Sequence, residues 1–191
     1  MVSMIRYTPE GVEERVGPTP EEIDASRGRP GVTWINVDGV GDAELLGRLG
    51  GAFAIHPLVI EYIAHTHQRA ELEDYGRYLF CGAKMLSLQG DELSSEQVSV
   101  VVGQGFVLTF QEEDRAGDVF EGIRARLRAG PGLLRRAGAD FLFHAILDAI
   151  VDGYFALLEA QEEEIGALED AVAEDSRVSM VEEIHLLKKR T

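Results

Sequence analysis

The chain has 191 residues, 45% of them hydrophobic, enough apolar side chain to bury a core and to exclude global disorder. Thirty-four acids against 18 bases give a formal net charge of −16, and the absence of a basic stripe to neutralise phosphates argues against nucleic acid as a partner. The single cysteine, Cys81, rules out an intrachain disulfide and, lying within an apolar run, reads as a buried, inert thiol.

Residues 1–31 are polar, with turns at Pro18, Pro20 and Pro30, and predict one short strand over 4–8 followed by loops. No apolar h-region opens the chain, so no signal peptide is read. No run of about 18 or more apolar residues occurs, so no membrane span is predicted and the chain taken alone reads as soluble. Residues 32–37 (VTWINV) are β-branched and aromatic, as in a buried strand. Asp42 is placed to cap a helix through Phe53 with Leu45, Leu46 and Leu49 on one face, and Pro57 starts a short helix over 58–64. Residues 70–74 and 78–88 read as a hairpin around Tyr75-Gly76-Arg77, Gln89-Gly90-Asp91 as a turn, and residues 97–102 as a further strand. Gly103-Gln104-Gly105 then turns tightly into residues 106–110 (FVLTF), giving three or four consecutive, mainly antiparallel strands. Asp118 caps a predicted helix through Arg128, with Arg124, Arg126 and Arg128 on its exposed side, and Gly130-Pro131-Gly132 breaks it.

The last third differs in kind. Residues 140–174 read as one helix of about 35 residues, roughly 50 Å at 1.5 Å per residue. Residues 137–176 hold eleven acids and no lysine or arginine. Asp148, Asp152, Glu159, Glu163, Asp170 and Glu174 follow steps of four and seven and share one stripe. Leu147, Ile150, Tyr154, Leu157, Ile165, Leu168 and Val172 form an apolar seam that wants a partner helix. A surface so charged repels anions and attracts cations. Arg177–Ser179 reads as a sharp turn and residues 180–190 as a returning helix that stops at Lys188-Lys189-Arg190-Thr191 without a cap, as expected for a piece of a longer protein. The organisation predicted is an α/β domain over 1–136 and a long acidic helical hairpin over 137–191.

Several strings in this order resemble the cytoplasmic domain of the CorA family of magnesium and cobalt transport channels. They are Thr33-Trp34-Ile35-Asn36, His56-Pro57-Leu58-Val59-Ile60-Glu61, His67-Gln68-Arg69 and Lys84-Met85. Ser95-Glu96-Gln97-Val98-Ser99, Phe110-Gln111-Glu112, Gly117-Asp118-Val119-Phe120, Asp140 and Asp148-Ala149-Ile150-Val151-Asp152 follow. The resemblance implies an α/β/α sandwich with a mixed, largely antiparallel sheet and a long acidic C-terminal helical hairpin. It also implies a homopentamer of identical subunits at the cytoplasmic face of the inner membrane. The stalk, two transmembrane helices and a Gly-Met-Asn pore motif would lie beyond Thr191. In the family, divalent cations bound between soluble domains close the pore. The regulatory ion implied is Mg2+, with Co2+ or Zn2+ as alternatives. Magnesium keeps several waters and takes one or two carboxylates, which suits a weak site shared across an interface. Acidic faces that repel without metal give a two-state element biased by occupancy.

By matching, Glu61 corresponds to the glutamate of the family's His-Pro-Leu-x-x-Glu-Asp string and Asp148 to an aspartate lining the inter-subunit metal region. Asp152, four residues along the stripe, joins them as a metal candidate. The rival readings are a solvated helix acid for Glu61, a structural hydrogen bond for Asp148 and a solvated charge for Asp152. Tyr62 departs from the family's usual aspartate, and a phenol of pKa near 10 is a poor magnesium ligand. Ala70-Glu71 likewise replaces the frequent Pro-Lys. His56, His65 and His67 could be read as a zinc site, but His56 also suits a helix start. The Gly103-Gln104-Gly105 turn lacks the Lys and Ser/Thr of a phosphate-binding loop. No nucleophile elbow or metalloprotease string is present, so no enzyme is expected. The alternatives are the same domain in a zinc-transporting branch of the family, or a free-standing soluble acidic adaptor.

Overall fold

A computed structural model describes residues 1–89, 92–112 and 119–174. Seven strands form one sheet: β1 (Val2–Tyr7), β2 (Val12–Val16), β3 (Val32–Asp38), β4 (Glu71–Asp74), β5 (Tyr78–Gln89), β6 (Glu92–Gly103) and β7 (Phe106–Gln111). Their order is β2-β1-β3-β7-β6-β5-β4. β1 lies antiparallel to both β2 and β3, and β7 antiparallel to β6. The exception is β3 against β7, which run parallel with Trp34 opposite Val107 and Ile35 opposite Leu108. A parallel pair needs a long crossover. Here that crossover is residues 39–105, and it carries α2 (Ala43–Ala52), α3 (Pro57–Ala64) and strands β4 to β6.

The chain forms two compact units, residues 1–85 with 96–150, and residues 86–95 with 151 onward. In the first, strand alternation divides the core between the two faces of the sheet. Ile35, Val37, Val101, Leu108 and Phe110 pack with Leu46 and Leu49 of α2, with Val59 and Ile63 of α3, and with Ile23 of α1 (Pro20–Ser26). On the opposite face Trp34 meets the edge of Phe120 at 5.9 Å, at the cap of α4 (Glu121–Arg128). A short turn of helix, α5 (Leu133–Arg136), leads into α6 (Ala139–Glu174). Within this unit α6 buries Leu142, Ala145, Ile146 and Ile150, spaced to share one helical face. The charge of Asp140 acts on Tyr7 of β1, whose phenol is held well above its ordinary range first by burial and then by that carboxylate. The architecture is therefore the α/β/α sandwich with a mixed, largely antiparallel sheet.

A chain of polar groups inside this core is paired. Trp34 Nε1 donates to Thr109 Oγ1 at 2.9 Å, Thr109 Oγ1 donates to Asn36 Oδ1 at 2.5 Å, and Asn36 Nδ2 donates to Asp38 Oδ1 at 2.6 Å. This chain of bonds crosses the parallel pair and specifies its register, because a slip would leave buried donors without acceptors.

Three sequence expectations need correction. Residues 1–31 hold a hairpin and a helix rather than one strand and loops. The charged face of β2 (VEERV) hides its strand character, and a reciprocal capping box between Thr19 and Glu22, with Pro20 at the first turn, starts α1. Arg124 is buried, not exposed: its guanidinium stacks over the Trp34 ring at 5.2 Å and its aliphatic stem closes the core. The seam on α6 is shifted, since Ile146 rather than Leu147 is fully buried and Ile165 is exposed. Asp42 does cap α2, accepting from Leu45 N at 3.0 Å. The turn at Gly90-Asp91, the cap assigned to Asp118 and the returning helix over 180–190 lie outside the described residues, as do the side chains of Leu168 and Val172.

In the second unit α6 continues from Val151. Gly153 lies against the β5 backbone, so that a Cβ there would meet the Leu86 carbonyl oxygen at 3.0 Å. Leu157 is buried, whereas Val151, Phe155 and Leu158 are exposed. By length and composition alone, Ala139–Ala167 would also pass for a membrane span, with an 18-residue window of mean hydropathy 1.7. That differs from the reading that no segment qualifies. The helix gains its hydropathy from Leu, Ile and Phe while still carrying Asp148 and Asp152.

Candidate metal centre

Helix α3 is built so that Glu61 faces outward. His56 caps it, its Nδ1 accepting from Leu58 N at 3.2 Å, and its own backbone N–H donates to the Tyr78 hydroxyl at 2.9 Å. Val59 and Ile63 turn into the core, and Ile60 packs on Gly50 of α2, where a Cβ would approach it to 3.0 Å. One helical turn leaves Glu61 exposed on the far side. The helix ends at His65, whose backbone N–H donates to the Glu61 carbonyl at 3.1 Å while its ring Nδ1 lies 2.8 Å from the same oxygen. A carbonyl accepts, so Nδ1 is the donor in that contact. His56 and His65 are thus helix-end residues.

Asp148 is exposed on α6 beyond the buried Ala145, Ile146 and Ile150, and Asp152 is exposed one turn later. Glu159 and Glu163 further along are also exposed. Among the described residues no group of three or more His, Cys, Asp or Glu side chains is placed to hold a metal ion. Glu61, Asp148 and Asp152 are each presented to solvent.

Tyr62 explains part of this arrangement. Its ring meets Phe80 edge-on at 4.9 Å, and it lies over β5 at Gly82, where a Cβ would stand 2.3 Å from the phenol oxygen. The hydroxyl donates to the Arg69 carbonyl, closing the α3–β4 loop. Burial, with Glu71 and Cys81 adding to it, pushes the phenol up to about 12. The side chain turns toward the sheet, and the carboxylate face of α3 is left to Glu61.

The same loop is secured by Gln97, which is buried in β6. Its Nε2 donates to the His65 carbonyl at 3.2 Å and the Tyr62 carbonyl at 3.4 Å, and its Oε1 accepts from Gln68 N at 3.1 Å. Glu112 accepts from Gln97 N at 3.0 Å, and Lys84 Nζ donates to the Thr66 carbonyl at 2.8 Å. Burial acts to raise the Glu112 carboxyl, but hydrogen bonds from Gln97 and Thr66 with the nearby Lys84 and His67 outweigh it and hold it below its ordinary value. Four separated strings, around Gln68, Lys84, Gln97 and Glu112, thus meet at one polar node. All four strings stand in the sequence, but no local signal joins them, because their contacts are long-range.

A seven-stranded mixed sheet with packed helices is a fold this chain shares with the soluble domain of a CorA protein. Residues 30–191 match the family model described as "CorA-like Mg2+ transporter protein", and the chain belongs to that family. It is 37% identical over 190 residues to the cobalt/magnesium transport protein CorA of Thermotoga maritima, covering 98% of this chain and 54% of that protein. The chain therefore spans about half the length of that relative. The soluble domain of CorA from Methanocaldococcus jannaschii superposes with a TM-score of 0.69 at 16% identity, covering all of this chain and 71% of that one. The ZntB cytoplasmic domain from Vibrio parahaemolyticus does so with a TM-score of 0.70 at 11% identity, covering 98% and 72%.

Proposed function

We propose that this chain is the cytoplasmic regulatory domain of a CorA-like divalent-cation transporter, working at the inner face of the membrane as part of a homopentamer. Magnesium between identical subunits would hold the assembly closed, with Glu61, Asp148 and Asp152 as its carboxylate contacts. The observation that carries this reading is the exposed acidic stripe of α6 in a member of a magnesium-transporter family, with no lysine or arginine over residues 137–176 to offset it. Exposed helix carboxylates fit weak ligation across an interface, with magnesium keeping most of its waters. The α/β domain over 1–136 would act as the rigid body and the acidic element over 137–191 as the part that responds to charge. Membrane attachment would come through a segment C-terminal to this chain. Cobalt is a second ion consistent with the family. The likeness in fold to a ZntB domain keeps zinc as the alternative regulatory ion.

The test is the thermal midpoint of the chain against magnesium chloride, with sodium chloride of equal ionic strength as control. A ligand that binds only the folded state at a hundred times its Kd adds about 2.7 kcal/mol, or roughly 5–10 °C for a chain of this size. Asp148→Ala should remove most of the magnesium-specific shift, and Glu61→Ala and Asp152→Ala part of it. A response no larger than that to sodium would overturn the reading. A response to zinc at far lower concentration than magnesium would transfer it to the zinc branch.

A further inference from the structure

A cleft of about 340 Å3 opens on the face of the first unit that carries α2, between the C-terminal end of α1 and the β6–β7 turn. Three features set it apart. Acids outnumber bases nearly two to one in this chain, yet the residues lining the cleft include two arginines, Arg27 and Arg77, and no carboxylate. Arg27 is partly used, pairing with Asp24 at 3.1 Å and donating to the Ala52 carbonyl. Arg77 is exposed on the β4–β5 turn and has no partner among the described residues.

The second feature is Thr33. It is 95% buried, since only 5% of its surface is accessible, and it lines the cleft. Its backbone N–H is bonded to the Gly105 carbonyl, but its hydroxyl has no protein partner among the described residues. That hydroxyl is not one of the buried side-chain atoms left without a partner, so it is open to the cleft and can donate to a ligand acceptor there. The nearby Tyr78 hydroxyl accepts from His56 N, leaving its own hydrogen free to donate. The third feature is an apolar wall: Phe53 and Phe106 lie with ring centroids 4.8 Å apart and tilted by 47°.

We infer that this cleft binds a small organic phosphate bearing a flat ring, of mononucleotide size. A planar guanidinium grips phosphate oxygens through paired hydrogen bonds, the hydroxyls of Thr33 and Tyr78 supply further donors, and the phenylalanine wall takes a ring face. The volume stands at the lower end of small-molecule sites, which favours a mononucleotide over a dinucleotide. The inference is independent of the cation reading, since it uses none of the carboxylates of α3 or α6.

The experiment titrates the 191-residue chain with AMP in buffer containing EDTA, by calorimetry and by amide chemical-shift perturbation, with adenosine and inorganic phosphate as parallel probes. AMP should bind saturably and more tightly than either fragment, with shifts centred on Thr33 and Arg77. Arg77→Ala alters an exposed turn residue and should weaken AMP by about tenfold or more, and the isosteric Thr33→Val should weaken it several-fold. No saturable binding up to about 10 mM AMP would overturn the inference, as would affinity unchanged in both variants. Phosphate binding as tightly as AMP would remove the ring. Self-association of the chain that depends on Arg77 and is unaffected by AMP would assign the cleft to an acidic surface of a second copy instead.

Discussion

The contact between Tyr62 and Gly82 offers a sharp test of how α3 sits on the sheet. A Cβ at position 82 would lie 2.3 Å from the Tyr62 oxygen, 2.7 Å from Cζ and 2.8 Å from Cε1, about 1 Å inside normal van der Waals separation. The ring cannot simply swing away, because its edge is held against Phe80 and its hydroxyl is bonded to Arg69. Forcing a methyl group into a packed site costs about 1–3 kcal/mol, and breaking the phenol hydrogen bond adds about 1 kcal/mol. Gly82→Ala should therefore destabilise the fold by about 2–4 kcal/mol. In a Tyr62→Ala background the obstruction is gone, and the same substitution should cost less than about 0.5 kcal/mol. The coupling of about 2 kcal/mol is the quantity predicted. Urea unfolding followed by fluorescence of Trp34, the chain's single tryptophan, reads it directly in the first unit. Equal cost of Gly82→Ala in both backgrounds would refute the placement of Tyr62 over β5. Tyr62→Asp follows from the same geometry: it should lose stability, by about 2–4 kcal/mol for the lost ring packing, without strengthening magnesium binding.

Two further outcomes rest on buried polar groups. Thr109→Val leaves Trp34 Nε1 without its acceptor and Asn36 without a donor, and should cost about 2–4 kcal/mol in urea unfolding; a neutral result would mean that this bond chain does not hold the β3–β7 register. Glu112 has a folded-state pKa below its ordinary 4.5, so its contribution is fully present above that value and is lost as pH falls through the lower folded value. Glu112→Gln should reduce stability near neutral pH and flatten its decline below about pH 4.5, measured as urea midpoints against pH.

How much of this was legible beforehand depended on how local each signal is. Asp42, His56 and Pro57 act within a few residues of themselves, so the starts of α2 and α3 could be read from the chain. The same holds for α6, where ten acids and a periodic apolar set declare a long helix with a carboxylate face. Glu61, Asp148 and Asp152 were legible as exposed acids on helices, because helical period alone sets which way they point. What each of them binds is not encoded by that period. β2 was missed because an edge strand can keep its charged residues in water and so lacks the apolar alternation of a central one.

The sequence by itself determined the membership in a magnesium-transporter family, the central strands, the helix starts and the segregation of negative charge onto α6. Tertiary structure decided that β3 and β7 pair in parallel across the 39–105 crossover, and that Arg124 lies on Trp34 instead of in solvent. It also turned Tyr62 inward over Gly82 and joined Gln68, Lys84, Gln97 and Glu112 in one node. The physical reason is shared. Caps, periodicity and charge runs act over one or two turns of chain, whereas these contacts link residues 15 to 90 positions apart, such as Gln97 with Glu112 and Trp34 with Arg124. Their geometry exists only once the sheet has closed its register.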